Sequence, residues 1–179
     1  MAKQSQTELA VLAALSVEPM TGYALRDAVS THLGAFWSES FGQIYPALAR
    51  LRAAGLVEAV ATGPTGKALH RLTADGRVRL VELLREPPTV VPPRNGTLLR
   101  LFFGDVIGPE ACRDLVVAAR QRAESTLAEL AVARREAESE AGQTPHQPYW
   151  LMTVSAGEHT ARATISWADE TLAALDADV

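Results

Sequence analysis

Between positions 41 and 76 the chain reads FGQIYPALARLRAAGLVEAVATGPTGKALHRLTADG, and this run restricts the fold more than any other. It opens with a helical pattern in which Ile44, Leu48 and Leu51 share one inward stripe. Gly55 is placed to stop that helix in a left-handed cap. Two short strand-like runs follow, 57–61 and 68–72. Residues 62–66 between them hold two glycines and a proline and read as a turn. Thr73 then caps a new helix. A helix feeding directly into a two-stranded ribbon is the working half of a winged helix-turn-helix, in which the helix enters a DNA major groove and the hairpin touches the flanking backbone. The expected fold class is therefore mainly α with a small β-wing.

The flanking segments extend this pattern. Residues 7–16 predict a helix with Leu9, Leu12, Ala13 and Leu15 on its apolar face, and Pro19 punctuates it. Thr21 can cap a second helix over 22–32, and Gly34-Ala35-Phe36-Trp37 reads as an aromatic turn. Ser40-x-x-Gln43 has capping-box form, each side chain satisfying the other residue's free backbone N–H. Pro46 is harmless only near a helix start, so the third helix is expected to begin close to Gln43 or to bend in its first turn. The fourth helix runs to Arg85, with Val78, Leu80, Val81, Leu83 and Leu84 on its buried side.

Four prolines within 87–93 mark the domain boundary. The expected organisation is a winged helix-turn-helix domain over 1–86, a Pro-rich linker over 87–96 and a helical domain over 97–179. In the last of these, 98–103 is a short apolar helix and Pro109 opens a long one reaching about 141. A break over 142–148 precedes a final helix over 149–175. That helix carries a seam of Leu151, Val154, Glu158, Ala161, Ile165, Ala168, Leu172 and Leu175, three and four residues apart. The seam without Glu158 is the expected dimerisation surface; the alternative is an internal hairpin packed on the head. Glu158 is expected to meet an arginine of the facing chain or to lie at an open end.

The whole-chain charge of −4 divides unevenly. Residues 1–86 have nine Lys/Arg against eight Asp/Glu, net +1, and residues 87–179 have eight against thirteen, net −5. A head so weakly basic must grip phosphates through local placement of a few cations. The four histidines have no i, i+4 pairing, and the lone Cys112 has no ligand cluster beside it, so no metal or cofactor is implied. Ser155-x-Gly157 lacks the form of a nucleophile elbow, and Gly63-x-x-Gly66-Lys67 is too short for a phosphate loop. These features point away from an enzyme. A single cysteine, a polar N-terminus and the absence of a long apolar stretch fit a cytoplasmic, non-membrane protein.

The runs Pro19-Met20-Thr21-Gly22-Tyr23-Ala24-Leu25, Gly42-Gln43-Ile44-Tyr45-Pro46-Ala47-Leu48 with Arg50-Leu51 and Gly55-Leu56-Val57, and Leu72-Thr73-Ala74-Asp75-Gly76 together resemble PadR-type transcriptional regulators. Two positions depart from that pattern: Arg52 stands where an acidic residue is usual, and His70 where a tyrosine is usual. The resemblance implies a homodimeric DNA-binding regulator, a repressor on a palindromic operator, released by a small aromatic or hydrophobic ligand. The alternative is a winged-helix interaction module or adaptor without specific DNA binding. The expected DNA-contacting residues are Lys3, Ser40, Gln43, Ile44, Tyr45, Arg50, Thr65 and Lys67. Gln43 has the chemistry to read an adenine edge and Tyr45 to hold a phosphate. Phe102, Phe103, Tyr149, Trp150 and Trp167 form the candidate ligand set, or else fill the junction between head and tail.

Overall fold

The computed structural model describes residues 2–33, 41–62, 68–88, 94–139 and 144–177. It divides into two compact units, Met1–Val91 and Pro92–Val179. The turn at 34–37, Ser40 with its capping box, and the wing tip with Thr65 and Lys67 lie outside the described residues.

The first unit runs α1 (Ala2–Val17), β1 (Met20–Thr21), α2 (Gly22–Leu33), α3 (Phe41–Ala53), β2 (Val57–Thr62), β3 (Ala68–Leu72) and α4 (Ala74–Arg85). Its sheet has the order β1-β3-β2 with both pairings antiparallel. Met20 faces His70 and Thr21 faces Leu69 on one side of β3, while Val57 faces Leu72 on the other. The register slips between Ala59 and Ala61, which makes Val60 the extra residue of a bulge. The strand β1 has no counterpart in the sequence reading, because two residues after a proline carry no periodicity.

Large aliphatic side chains close the core of this unit. Leu12 and Val11 from α1, Leu25 from α2 and Ile44 from α3 are fully or almost fully buried, with Leu48, Leu51, Val57, Leu72, Leu80 and Leu83 around them. Each such leucine or isoleucine contributes roughly 1.5–3 kcal/mol when withdrawn from water. Gly55 adopts φ +72, the left-handed cap its position called for, and Leu56 N–H returns to the Leu51 carbonyl at 2.9 Å. Thr73 then ties α4 to that corner. Its hydroxyl donates to the Gly55 carbonyl at 2.8 Å and accepts from Gly76 N–H at 3.0 Å. Gly76 is required by contact: a Cβ there would stand 2.0 Å from the Leu56 carbonyl oxygen.

The helix α3 begins at Phe41, within two residues of the expected start, and carries Pro46 inside it, so the Gly42 carbonyl has no N–H four residues on and is left at an exposed glycine. Two expectations for this unit need correction. On α4, Leu80 and Leu83 alone of the five apolar residues are buried; Val78, Val81 and Leu84 are exposed. A helix lying on the core from one side can bury only one stripe. Finally, α1 starts earlier than expected and turns Thr7 and Val11 inward, leaving Leu9 and Ala13 half-buried.

The second unit comprises α5 (Gly96–Phe102), α6 (Gly104–Ile107), α7 (Pro109–Ser139) and α8 (Gln147–Ala177). Asn95 caps α5, its side-chain oxygen accepting from Thr97 and Leu98 N–H at 3.0 and 3.1 Å. Two helices stand where one was expected over 98–103. The helices α7 and α8 form an antiparallel pair, stepped by ion pairs Arg113–Asp176, Arg120–Asp169 and Arg134–Glu158. Their buried positions recur mostly at heptad spacing: Val116, Ala123, Leu130 and Ala137 on α7, and Val154, Glu158, Ala161 and Ala168 on α8. Small residues let the two backbones approach; a Cβ on Gly157 would sit 2.9 Å from Leu130. Among the described residues no helix is long and apolar enough to cross a membrane.

Candidate nucleic-acid interface

The helix α3 is two-sided. Ile44, Ala47, Leu48 and Leu51 fill the core, while Gly42, Gln43, Tyr45, Pro46, Ala49, Arg52 and Ala53 are exposed. Ile44 is 1 % exposed, so it supports the helix from beneath and does not meet a DNA base; its place in the expected contact set is withdrawn. The exposed side has two flanks. Gln43 and Arg50 are seven residues apart and share one; Tyr45, Ala49 and Arg52 share the other at i, i+4 and i+7.

The two flanks differ in electrostatics. Arg50 Nε donates to Glu8 of α1 at 3.2 Å, so its charge is engaged inside the domain rather than presented outward. Sequence reasoning favoured Arg50 because it lies on the right helix; the pairing with a carboxylate forty-two positions earlier has no local signal. Arg52 has no ion pair among the described residues, whereas Arg71 and Arg79 are paired with Glu58 and with Glu82 and Glu86. Gln43 is exposed at the start of α3. Lys3 lies in the first turn of α1.

Beside the Tyr45 flank, α2, α3 and β3 enclose a cleft of about 360 Å³. Gly22, Tyr23, Tyr45, Leu48, Ala49, Arg52, Ala68 and His70 line it. Gly22 lets the Tyr45 ring lie close against the start of α2, since a Cβ would fall 2.9 Å from that ring. The Arg26 guanidinium sits 5.1 Å from the centre of the Tyr23 ring. His70 is buried, and its Nδ1 has no hydrogen-bond partner among the described residues. Burial, and then the nearby Arg52 charge, lower its pKa and favour the neutral imidazole. The two positions that depart from the PadR-type pattern thus line one cleft.

In the second unit the expected aromatic cluster does not assemble. Phe102 and Phe103 pack edge to face on each other at 5.1 Å but stand 81 % and 54 % exposed. Trp150 stacks with His146 near the start of α8, and Tyr149 is exposed. Trp167 lies seventeen residues further on, about 25 Å along a helix. It lines a different cleft, of about 560 Å³, with Leu98, Leu101, Gly104, Pro109, Cys112, Thr171 and Leu175. Sequence spacing missed this cleft because its walls come from four separate helices.

The seam of α8 is partly consumed within the chain. Val154, Ala161 and Ala168 are buried, while Leu151, Ile165, Leu172 and Leu175 are half-buried. Glu158 contradicts its expected role: it meets Arg134 of its own chain through two hydrogen bonds of 2.8 and 3.0 Å, and Arg162 at 3.3 Å. The Arg134 hydrogen bonds hold its carboxyl below the usual carboxylate range. By contrast, Leu98, Leu99 and Phe102 on α5, Phe103 between the two helices, and Val106 and Ile107 on α6 are all exposed. Among the described residues no three His, Cys, Asp or Glu side chains gather as a metal site.

Comparison with known proteins divides the chain in the same way. Residues 11–82 match the model described as Transcriptional regulator PadR-like family, and residues 93–176 the model described as Virulence activator alpha C-term. The chain is 25 % identical over 177 residues to the negative transcriptional regulator PadR of Bacillus subtilis (strain 168), spanning 94 % of this chain and 97 % of that protein. The PadR-like transcriptional regulator BC1756 from Bacillus cereus superposes with a TM-score of 0.82 at 21 % identity, over 97 % of this chain and 99 % of that one. Bacillus subtilis PadR has been solved with operator DNA (TM-score 0.77, 22 % identity, 94 % and 98 % covered). It has also been solved with p-coumaric acid (TM-score 0.72, 22 % identity, 94 % and 98 % covered). These structural likenesses establish the fold.

Proposed function

We propose that the chain is a PadR-like transcriptional regulator, a homodimeric, sequence-specific DNA-binding repressor acting on a palindromic operator. The observation that carries this reading is the two-sided α3. Its apolar stripe is locked into a closed core, and its exposed side, with Gln43 on one flank and Tyr45 and Arg52 on the other, is open to solvent. A recognition helix needs that combination, because base edges must be met by side chains on a rigid mount. The assignments of Gln43 to a base edge, of Tyr45, Lys3, Thr65 and Lys67 to the phosphate backbone, and of Ser40 to the contact set belong to this proposal.

A two-fold assembly must hold its recognition helices about 34 Å apart, one turn of duplex. The exposed strip of α5 and α6, with the half-buried Ile165, Leu172 and Leu175 of α8, supports placing the partner contact there. Six large apolar side chains left in water are costly for a lone chain and favourable for an interface. The effector would be a small aromatic or hydrophobic molecule, as Bacillus subtilis PadR takes p-coumaric acid. The apolar cleft lined by Trp167 supports that part of the reading. On the same reading we assign the chain no enzymatic chemistry and place it in the cytoplasm.

Gel-shift titration with the DNA upstream of the chain's own gene, over a salt series, tests the function. Binding to one site, with affinity falling steeply as salt rises, is the expected result. Salt-insensitive or absent binding overturns the reading in favour of a protein-interaction module.

A further inference from the structure

We propose that the cleft between α2, α3 and β3 seats a backbone phosphate of duplex DNA, with Arg52 supplying the charge and Tyr23, Tyr45 and His70 the hydrogen-bonding groups. The proposal rests on the DNA-binding reading above and adds three residues to the expected contacts, Tyr23, Arg52 and His70.

Four observations converge on an anion of this kind. Among the described residues the lining brings together a guanidinium, two phenols and an imidazole without a carboxylate. Arg52 has no ion pair among the described residues, while Arg50 on the opposite flank of the same helix is tied to Glu8. The first two residues of α2, Gly22 and Tyr23, also line the cleft, so the positive end of that helix adds to the field. The neutral imidazole of His70 retains one N–H donor and adds no second cation beside Arg52.

Position then selects the source of the phosphate. The cleft opens along the Tyr45–Ala49–Arg52 flank of α3, which a recognition helix turns toward the duplex. One fixed cation is weak bait for a free dianion in salt. It is sufficient for a phosphodiester brought there by other contacts along the strand. A head with a net charge of +1 needs such local seats, because it has no general field to rely on.

The test uses the full chain with its upstream duplex. Arg52→Gln should reduce the slope of log K against log salt by ~0.9, the loss of one phosphate contact, and weaken specific and non-specific duplexes by the same factor. The His70 imidazole resonance, identified by its loss in His70→Gln, should shift on adding duplex and stay in place with inorganic phosphate at matched ionic strength. An unchanged slope for Arg52→Gln, with the unsubstituted protein still binding in a salt-dependent way, overturns the cleft and leaves the regulatory function standing. A His70 shift of equal size with inorganic phosphate overturns the duplex assignment in favour of a small-anion site. If the unsubstituted protein binds no duplex, the function itself fails.

Discussion

The two units bury different kinds of residue. The head places its largest aliphatic side chains, Leu12, Leu25 and Ile44, at full burial. The tail buries Val116, Leu130 and Val154 but fills most of its remaining seam with Ala123, Ala137, Ala161, Ala168 and a glutamate, and leaves Leu99, Phe102 and Val106 more than half exposed. Both follow from geometry. A helical head wrapped on a small sheet encloses a volume, and a volume is filled with large side chains. Two antiparallel helices enclose only a line, which small residues fit, so the remaining apolar surface must find its cover elsewhere. The head thus closes its core within one chain, while the tail, on the proposed reading, is completed by a partner.

The strongest way to break this contrast is to remove volume from the head. Ile44→Ala should cost ~2–5 kcal/mol of head stability, because the closed core cannot collapse into the space. Phe102→Ala should change folding of the isolated subunit by less than ~0.5 kcal/mol. Denaturation followed separately in each unit would show both; equal losses would erase the distinction.

The next effect concerns assembly. Phe102→Asp combined with Val106→Asp should give a folded monomer by light scattering that binds a palindromic operator far more weakly. Ile165→Asp with Leu172→Asp should do the same through α8. A dimer surviving the first pair but lost with the second would move the interface from α5 and α6 onto the long helix.

Acid should then separate the units by two routes. The pKa of His70 is lowered on folding, so its stabilising contribution is present above the unfolded value of about 6.5 and is lost as pH falls through the lower folded value. Glu158 is also lowered, chiefly by its hydrogen bonds to Arg134, so the tail keeps its contribution to a more acid range and loses it below the ordinary carboxylate value of about 4.3. The head should weaken first on acidification. Thermal melts between pH 7 and 3 check the order, and His70→Phe should flatten the head's response while Glu158→Gln flattens the tail's.

The smallest effect tests the two flanks of α3. Arg50→Gln should cost at most ~1 kcal/mol, as expected for a partly exposed pair, and leave the DNA salt slope unchanged. A slope reduced as much as by Arg52→Gln would show that Arg50 leaves Glu8 when DNA binds.

Local chemistry made much of the fold legible. The Gly55 cap, Thr73 at the start of α4, the paired wing strands and the alternation of two long helices all depend on residues a few positions apart. Less of the candidate site was readable. The exposure of Tyr45 and Gln43 followed from helical period once Ile44, Leu48 and Leu51 were placed inside. Composition shows neither that Glu8 would take Arg50 nor that Arg134 would satisfy Glu158 within the same chain. Likewise, the aromatic-rich tail looks like one pocket in the sequence, yet Trp150 and Trp167 belong to distant parts of α8.

By itself, then, the sequence determined most of the segments that become helix or strand, where they stop, and which stripe of α3 turns inward, because those choices depend on neighbours within one or two turns. Tertiary structure decided which cations stay paired, which exposed stripe of α4 is left in water, and which four residues meet around the cleft beside α3. Those outcomes depend on side chains tens of positions apart sharing a surface, and a charge at close range takes the carboxylate that packing supplies.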